Sequence, residues 1–200
     1  MDTVAQALSA VWNASIAERT SVRRARREDI PAIATIVNEA IAARAAFDAH
    51  PKPVADLERW FAEHDERYVV LVSVDEDGHV VGCASLNRYQ QPHDIYGGVA
   101  DVTCYLASGA QHRGLGSKLV TELEAHARRN DFHKLNARTF PANRGSRQLL
   151  RKFGFRVVGV YKRDAVVDGD YVDVMILEKL LSPGRYKVSV PGEIELIRNS

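Results

Sequence analysis

The sequence is poor in several things, and each shortage removes a class of function. Only two of its 200 residues are cysteine, Cys83 and Cys104, and they form no CxxC pair. Both lie in apolar, strand-like segments, so they read as reduced, buried thiols and not as a disulfide framework or a zinc site. No HExxH motif is present and the 7 histidines show no ligand-like spacing; no metal is expected. No apolar run approaches the roughly 18 residues of a membrane span, and Met1-Asp2-Thr3 lacks the basic start of a secretion signal. The expectation is a cytoplasmic protein without membrane contact. An excess of one charge is also missing: 27 Lys+Arg against 26 Asp+Glu leave a formal net charge of +1. Binders of nucleic acid ordinarily carry a clear basic surplus, so no nucleic-acid partner is expected. Arg23, Arg24, Arg26 and Arg27 form the one basic run, and they read as a solvated strand end beside a helix start.

What is present is an ordinary globular composition, 46% hydrophobic and 26% charged, sufficient for one sizeable core. Alternating and helical apolar periodicities predict the order β-α-α-β-β-β-α-β-α-β-β within a single α/β domain over 20–181. Asp29 and Pro31 mark the first helix start, with Asp29 placed to cap free amides. Asp77-Gly78 and Asp168-Gly169 mark hairpin turns. Val4, Leu8, Val11, Trp12 and Ile16 suggest an amphipathic helical extension over 1–19. Tyr186, Val188 and Val190 suggest an extra strand within a C-terminal extension over 182–200.

The chemically informative stretch runs from Asp101 to Ser117. A strand passes through a turn containing Gly109 and Gly114 and enters an amphipathic helix. Glycines let a ligand approach the backbone, and a helix start presents free N–H groups with partial positive charge. Arg113 adds a formal charge, so the loop suits a pyrophosphate. It is not a P-loop, because Gly109 leads to Gly114-Leu115 and not to Gly-Lys-Ser/Thr. Nor is it a dinucleotide fingerprint, because Leu119 stands where the third glycine belongs.

The remaining pattern, Gln111-His112-Arg113-Gly114-Leu115-Gly116, resembles the pantetheine and pyrophosphate loop of the GCN5-related N-acetyltransferases. The block Asn143-x-x-Ser146, Leu149-Leu150 and Gly154-Phe155 resembles a second family motif, and the element order over Val22–Leu181 is similar to the family's. The resemblance implies a mixed, mostly antiparallel sheet flanked by helices, classed α/β (α+β). Val22-Arg23-Arg24-Ala25, Asp29-Ile30-Pro31-Ala32, Ile36-Val37-Asn38, Trp60, Asp101 with Thr103 and Tyr105, and Gly169-x-Tyr171-x-Asp173 look like the phosphinothricin acetyltransferases and related amino-acid N-acetyltransferases. The wording of Gly98–Asp101 and Asp131–Phe140 resembles the arsinothricin-resistance branch of that group.

The resemblance implies acetyl transfer from acetyl-CoA to the primary amine of a small amino acid or an antibiotic of that kind, by a homodimeric enzyme. An α-amine titrates near 8, so a modest base suffices. Asp101 takes the position of the subgroup's acidic base, as an Asp where better-known members have Glu, which favours relay through water. An Asp near its usual pKa is a feeble base, so burial must raise it. The resemblance places the thioester against Cys104, Tyr105 and Leu106, where the strand supplies a main-chain oxyanion donor. It assigns the cofactor's phosphates to Gln111, His112, Arg113, Gly114, Leu115, Gly116 and Ser117, and its amide arm to Asn143, which is also placed to cap the following helix. A covalent acetyl-cysteine on Cys104 is disfavoured, since no neighbour in sequence would activate the thiol. The family's usual acid position holds Leu150, leaving Tyr161 as a substitute. His93 stands where relatives carry an anion-holding Arg, and Phe47 and Tyr96 are candidate pocket walls. Acetylation of protein amines, and acyl-CoA binding without catalysis, are the alternatives.

Overall fold

The computed structural model describes residues 20–90 and 94–182. Within them run β1 (Ser21–Arg24), α1 (Ile30–Ala42), α2 (Val54–Ala62), β2 (Val70–Val74), β3 (Val80–Arg88), β4 (Val99–Leu106), α3 (Leu115–Arg129), β5 (Lys134–Thr139), α4 (Arg144–Lys152), β6 (Arg156–Val167) and β7 (Asp170–Leu180). This is the order that periodicity and turn signals imply. The helix expected in 1–19, the strand expected beyond Ser182, and His93 lie outside the described residues.

The seven strands form one sheet in the order β1-β2-β3-β4-β5-β7-β6. Only β4 and β5 run parallel. A parallel pair needs a crossover, and α3 provides it. Strand alternation then makes two cores. Val70, Val72, Val74 and Cys83 pack with Ile33, Val37, Ala40 and Ile41 of α1 and Leu57 of α2. Leu71, Ala84, Leu86, Ala100 and Val102 pack on the opposite face with Leu119, Leu123 and Ala127 of α3 and Leu150 of α4. Period two on the strands and period 3.6 on the helices account for both clusters.

Local chemistry at the first helix differs from expectation. Asp29 precedes α1, and Pro31 sits in the first turn, but the Asp29 carboxylate does not cap α1. It accepts both arms of Arg23 at 2.6 and 2.8 Å and the Arg26 amide at 2.7 Å. A bidentate charged pair outcompetes a neutral helix amide, and the Arg23 fork holds the Asp29 carboxyl below the usual range. Arg27 reaches Glu58 at 3.5 Å, so half of the basic run is occupied within the chain. The turn expected at Asp168-Gly169 is as the residues imply. Both take left-handed backbone, with φ of 54° and 88°, which a two-residue type I′ hairpin demands. No helix among the described residues is long and apolar enough to cross a membrane.

Candidate active site

The site begins where the sheet comes apart. β4 and β5 pair over three positions only, Val99 with Lys134, Ala100 with Leu135 and Asp101 with Asn136. β4 continues to Leu106 along β3, whereas β5 continues to Thr139 along β7. The parallel strands therefore fork just after Asp101. The Ala107 N–H donates to Val81 O at 3.0 Å. Alternation along an antiparallel pair then turns the main-chain groups of Tyr105, Thr103 and Asp101 toward β3, and those of Cys104 and Leu106 into the fork. Such free strand groups are where an extended ligand is held as an added strand.

At the far end of β4 the chain reverses into α3. The turn at Ser108–Ala110 is pinned by the Ser108 N–H, which donates to Glu39 Oε2 at 2.8 Å. His112 (φ 61°) and Gly114 (φ 80°) take left-handed backbone, and Gly114 is the N-cap of α3. The first-turn amides of α3, from Leu115 to Ser117, have no partner within the helix and carry its partial positive charge. Gly116 is buried there, and a Cβ on it would lie 3.2 Å from Leu149 Cδ2. Arg113 is half-buried in the loop. A second cation arrives from the end of α4: Lys152 Nζ donates to Ser117 Oγ at 3.0 Å. Two cations at a helix N-terminus suit a pyrophosphate. Each of Arg113→Ala and Lys152→Ala should raise KM for acetyl-CoA roughly tenfold, the loss of one charge-assisted hydrogen bond. Initial rates against acetyl-CoA concentration check this; an unchanged KM in both variants would place the phosphates elsewhere. Asn143 caps α4, its side-chain oxygen accepting from the Ser146 amide at 3.0 Å.

Asp101, Thr103 and Tyr105 face the α1–α2 side of the sheet, opposite Asn87, Ser85 and Cys83 of β3. These neighbours form a polar network. Ser85 Oγ and Thr103 Oγ1 are 2.6 Å apart. Asn87 Nδ2 donates to Ser85 Oγ at 3.0 Å and to the Asp101 carbonyl at 3.2 Å. Asn87 Oδ1 accepts from Trp60 Nε1 at 3.3 Å and lies 3.2 Å from His64 Nε2. Beside the network is a cavity of about 160 Å³, walled by Trp60, Tyr105, Thr103, Asp48 and Lys52 among others. Burial pushes the Asp101 carboxyl up to about 6, and the nearby Arg138 charge opposes that rise.

The remaining candidates are spread over both faces and the far edge of the sheet. Cys104 points to the opposite face, and burial pushes its thiol up to about 12, which keeps it protonated and unreactive. Phe47 stacks on Phe140 with ring centroids 4.5 Å apart, and Arg138 lies 5.6 Å from the Phe47 ring. Tyr96 meets Tyr89 edge-on at 5.3 Å. Leu150 is buried in the α3–α4 core. Tyr161 is 57% exposed on the edge strand β6, with β5 and β7 between it and β4. Sequence reasoning missed Ser85, Asn87, Arg138 and Lys152. Each is an unremarkable residue type whose place in the site depends on sheet register or helix packing.

A forked parallel strand pair, a cationic helix start at its far end and a raised carboxyl at its apex suit a phosphate-bearing ligand held beside an acid–base group. Residues 33–155 match the model of the acetyltransferase (GNAT) family. The chain is 30% identical to the phosphinothricin N-acetyltransferase of Streptomyces coelicolor, over 80% of this chain and 95% of that one. It is 29% identical to the L-methionine sulfoximine/L-methionine sulfone acetyltransferase of Pseudomonas paraeruginosa, over 82% and 96%. Among solved structures it resembles yncA of Salmonella typhimurium, determined with its cofactor acetyl-CoA, at a TM-score of 0.77 and 26% identity over 86% and 99% of the two chains. The chain belongs to the acetyltransferase (GNAT) family. It is an N-acetyltransferase with acetyl-CoA as its cosubstrate.

Proposed function

We propose that this enzyme acetylates the α-amine of a small amino acid or an amino-acid-like antibiotic of the phosphinothricin or arsinothricin kind, by direct transfer. The observation that carries the reading is the pairing of Asp101, a carboxyl raised to about 6, with a neighbouring cavity of about 160 Å³. That volume suits a molecule of amino-acid size. A carboxyl of that pKa is ionised at neutral pH yet basic enough to take a proton from an ammonium.

In this scheme acetyl-CoA supplies an acetyl group as a thioester. Main-chain groups of Cys104 and Leu106 hold its pantetheine arm as an added strand, and Tyr105 walls the acceptor side. Gln111, His112, Arg113, Gly114, Leu115, Gly116 and Ser117 surround the phosphates, and Asn143 borders the arm. Asp101 accepts the amine proton, directly or through one water. The amine nitrogen then bonds to the acyl carbon as the carbon–sulfur bond breaks, and the second N–H proton that the nitrogen sheds goes to the departing thiolate through solvent. The leaving thiolate needs no assigned acid, because a thiol is a good leaving group near neutrality. Phe47 and Tyr96 border the acceptor; His93, outside the described residues, is the third candidate for it. We assign the enzyme to the cytoplasm as a homodimer, with 1–19 and 182–200 as extensions of the 20–181 domain.

Thiol release from acetyl-CoA across a panel of α-amino acids, phosphinothricin, methionine sulfoximine and short peptides tests the reading. Turnover of at least one small amino acid or analogue is expected. Release with peptides alone would make this a protein acetyltransferase, and silence across the panel with retained acetyl-CoA binding would make it a binding module.

A further inference from the structure

We propose that Arg138 receives the anionic group of the acceptor substrate, and so decides which amines this enzyme acetylates; this rests on the acceptor being a small amino acid. The first support is position. Asn136 is the last β5 residue paired with β4, opposite Asp101. Arg138 lies two residues further along the same face, about 6.6 Å at strand rise. It thus borders the fork from the β5 side, while Asp101, Thr103 and Tyr105 border it from β4.

The second support is that Arg138 is uncommitted. Several arginines of the domain are tied: Arg23 to Asp29, Arg88 to Asp65, Arg128 to Glu124 and Arg67 to the Gly97 carbonyl. Arg138 is exposed, and its side chain makes no hydrogen bond or ion pair among the described residues. Its contact is the face of Phe47, which is itself seated on Phe140. Stacking orients the planar guanidinium while leaving its N–H fork open. Lys52 also borders the cavity, but it is paired with Asp48 at 2.9 Å. Among the described residues, Arg138 therefore offers this face a cation with a free bidentate edge.

The third support is chemical fit. An α-amino acid carries its amine and carboxylate on one carbon. A base on one strand and a guanidinium on the next address both groups together, with the side chain left for the cavity. Carboxylate, phosphinate and arsinate share the paired oxygens that a guanidinium fork recognises. The Arg138 charge also acts on Asp101, so the two lie within electrostatic reach of one acceptor.

The test compares an accepted amino acid with its own carboxamide. Arg138→Gln should lower the kcat/KM ratio of acid over amide by roughly 10- to 100-fold, chiefly through KM, the loss of a charged bidentate contact. Arg138→Lys should recover part of it. The acid limb of the Arg138→Gln pH profile should move upward, since a positive charge near Asp101 is gone. An unchanged acid-to-amide ratio would overturn the proposal while leaving the enzyme reading intact. Calorimetric titration of amino acids into wild type and Arg138→Gln, each saturated with CoA, separates the two claims. Binding that weakens in the variant supports Arg138 even if no amine on the panel turns over, and equal binding in both overturns it.

Discussion

Replacing Asp101 with Asn should lower kcat by 10²- to 10⁴-fold, the usual contribution of a positioned base. The amide keeps the shape and removes the proton acceptor, and the Asn87 contact with the Asp101 carbonyl is a main-chain one that survives. The same substitution should make the protein more stable at pH 8. The Asp101 carboxyl is raised from 3.8 to about 6 by burial. Between those values the folded chain binds more protons than the unfolded chain, so stability falls as pH rises from about 4 to about 6. Above that window wild type carries the whole cost of an ionised buried carboxylate, on the order of 1–3 kcal/mol. Asn removes it. Thermal unfolding at pH 8 should therefore show the inactive variant melting higher, with the gap closing toward pH 4. A variant turning over within a few-fold of wild type would remove Asp101 from catalysis. A variant melting lower at pH 8 would contradict the buried charge.

Leu119→Ala carries the largest expected structural effect. Leu119 is fully buried on α3, between that helix and β2, β3 and β4. Truncating a leucine in such a site costs about 2–5 kcal/mol through lost transfer energy and the cavity left behind. A chain of this size should then melt lower by roughly 2–4 °C per kcal/mol. The consequence reaches the site, because α3 is held by this contact and its first turn carries the phosphate-facing amides. KM for acetyl-CoA should rise in the folded variant while the acid limb of the rate profile stays in place. Urea unfolding at constant slope measures the stability change; a loss under 1 kcal/mol would mean α3 is seated by something else.

How far these features were legible in the sequence depends on the range of the interaction. Element order was readable because alternation and helical spacing are local, and the Asp168-Gly169 turn because its left-handed backbone is a property of those two residues. The loop from Gln111 to Ser117 was readable for the same reason: its glycines and the following helix are contiguous. Asp101 was picked out by resemblance, and its raised pKa could only be posed as a requirement. Burial pushes it up to about 6, and no local pattern encodes that burial. Asp29 shows the opposite failure. Its place before a helix suggests a cap, yet Arg23, six residues earlier, captures it across the strand end. Lys152 and Arg138 are invisible to spacing arguments, since α4 packing brings the first to Ser117 and the β4–β5 register brings the second to the fork.

The pH dependence of kcat/KM, which reports the free enzyme's groups, measured on an accepted amino acid in wild type and Asp101→Asn, tests most directly whether the fork and its carboxyl form the acetyltransferase site. Wild type should show an acid limb near pH 6, set by Asp101. In Asp101→Asn that limb should disappear, leaving a much slower reaction that rises only as the amine itself deprotonates, near pH 8 for an α-amine. The same limb near pH 6 in both proteins, at comparable rates, would contradict Asp101 as the base.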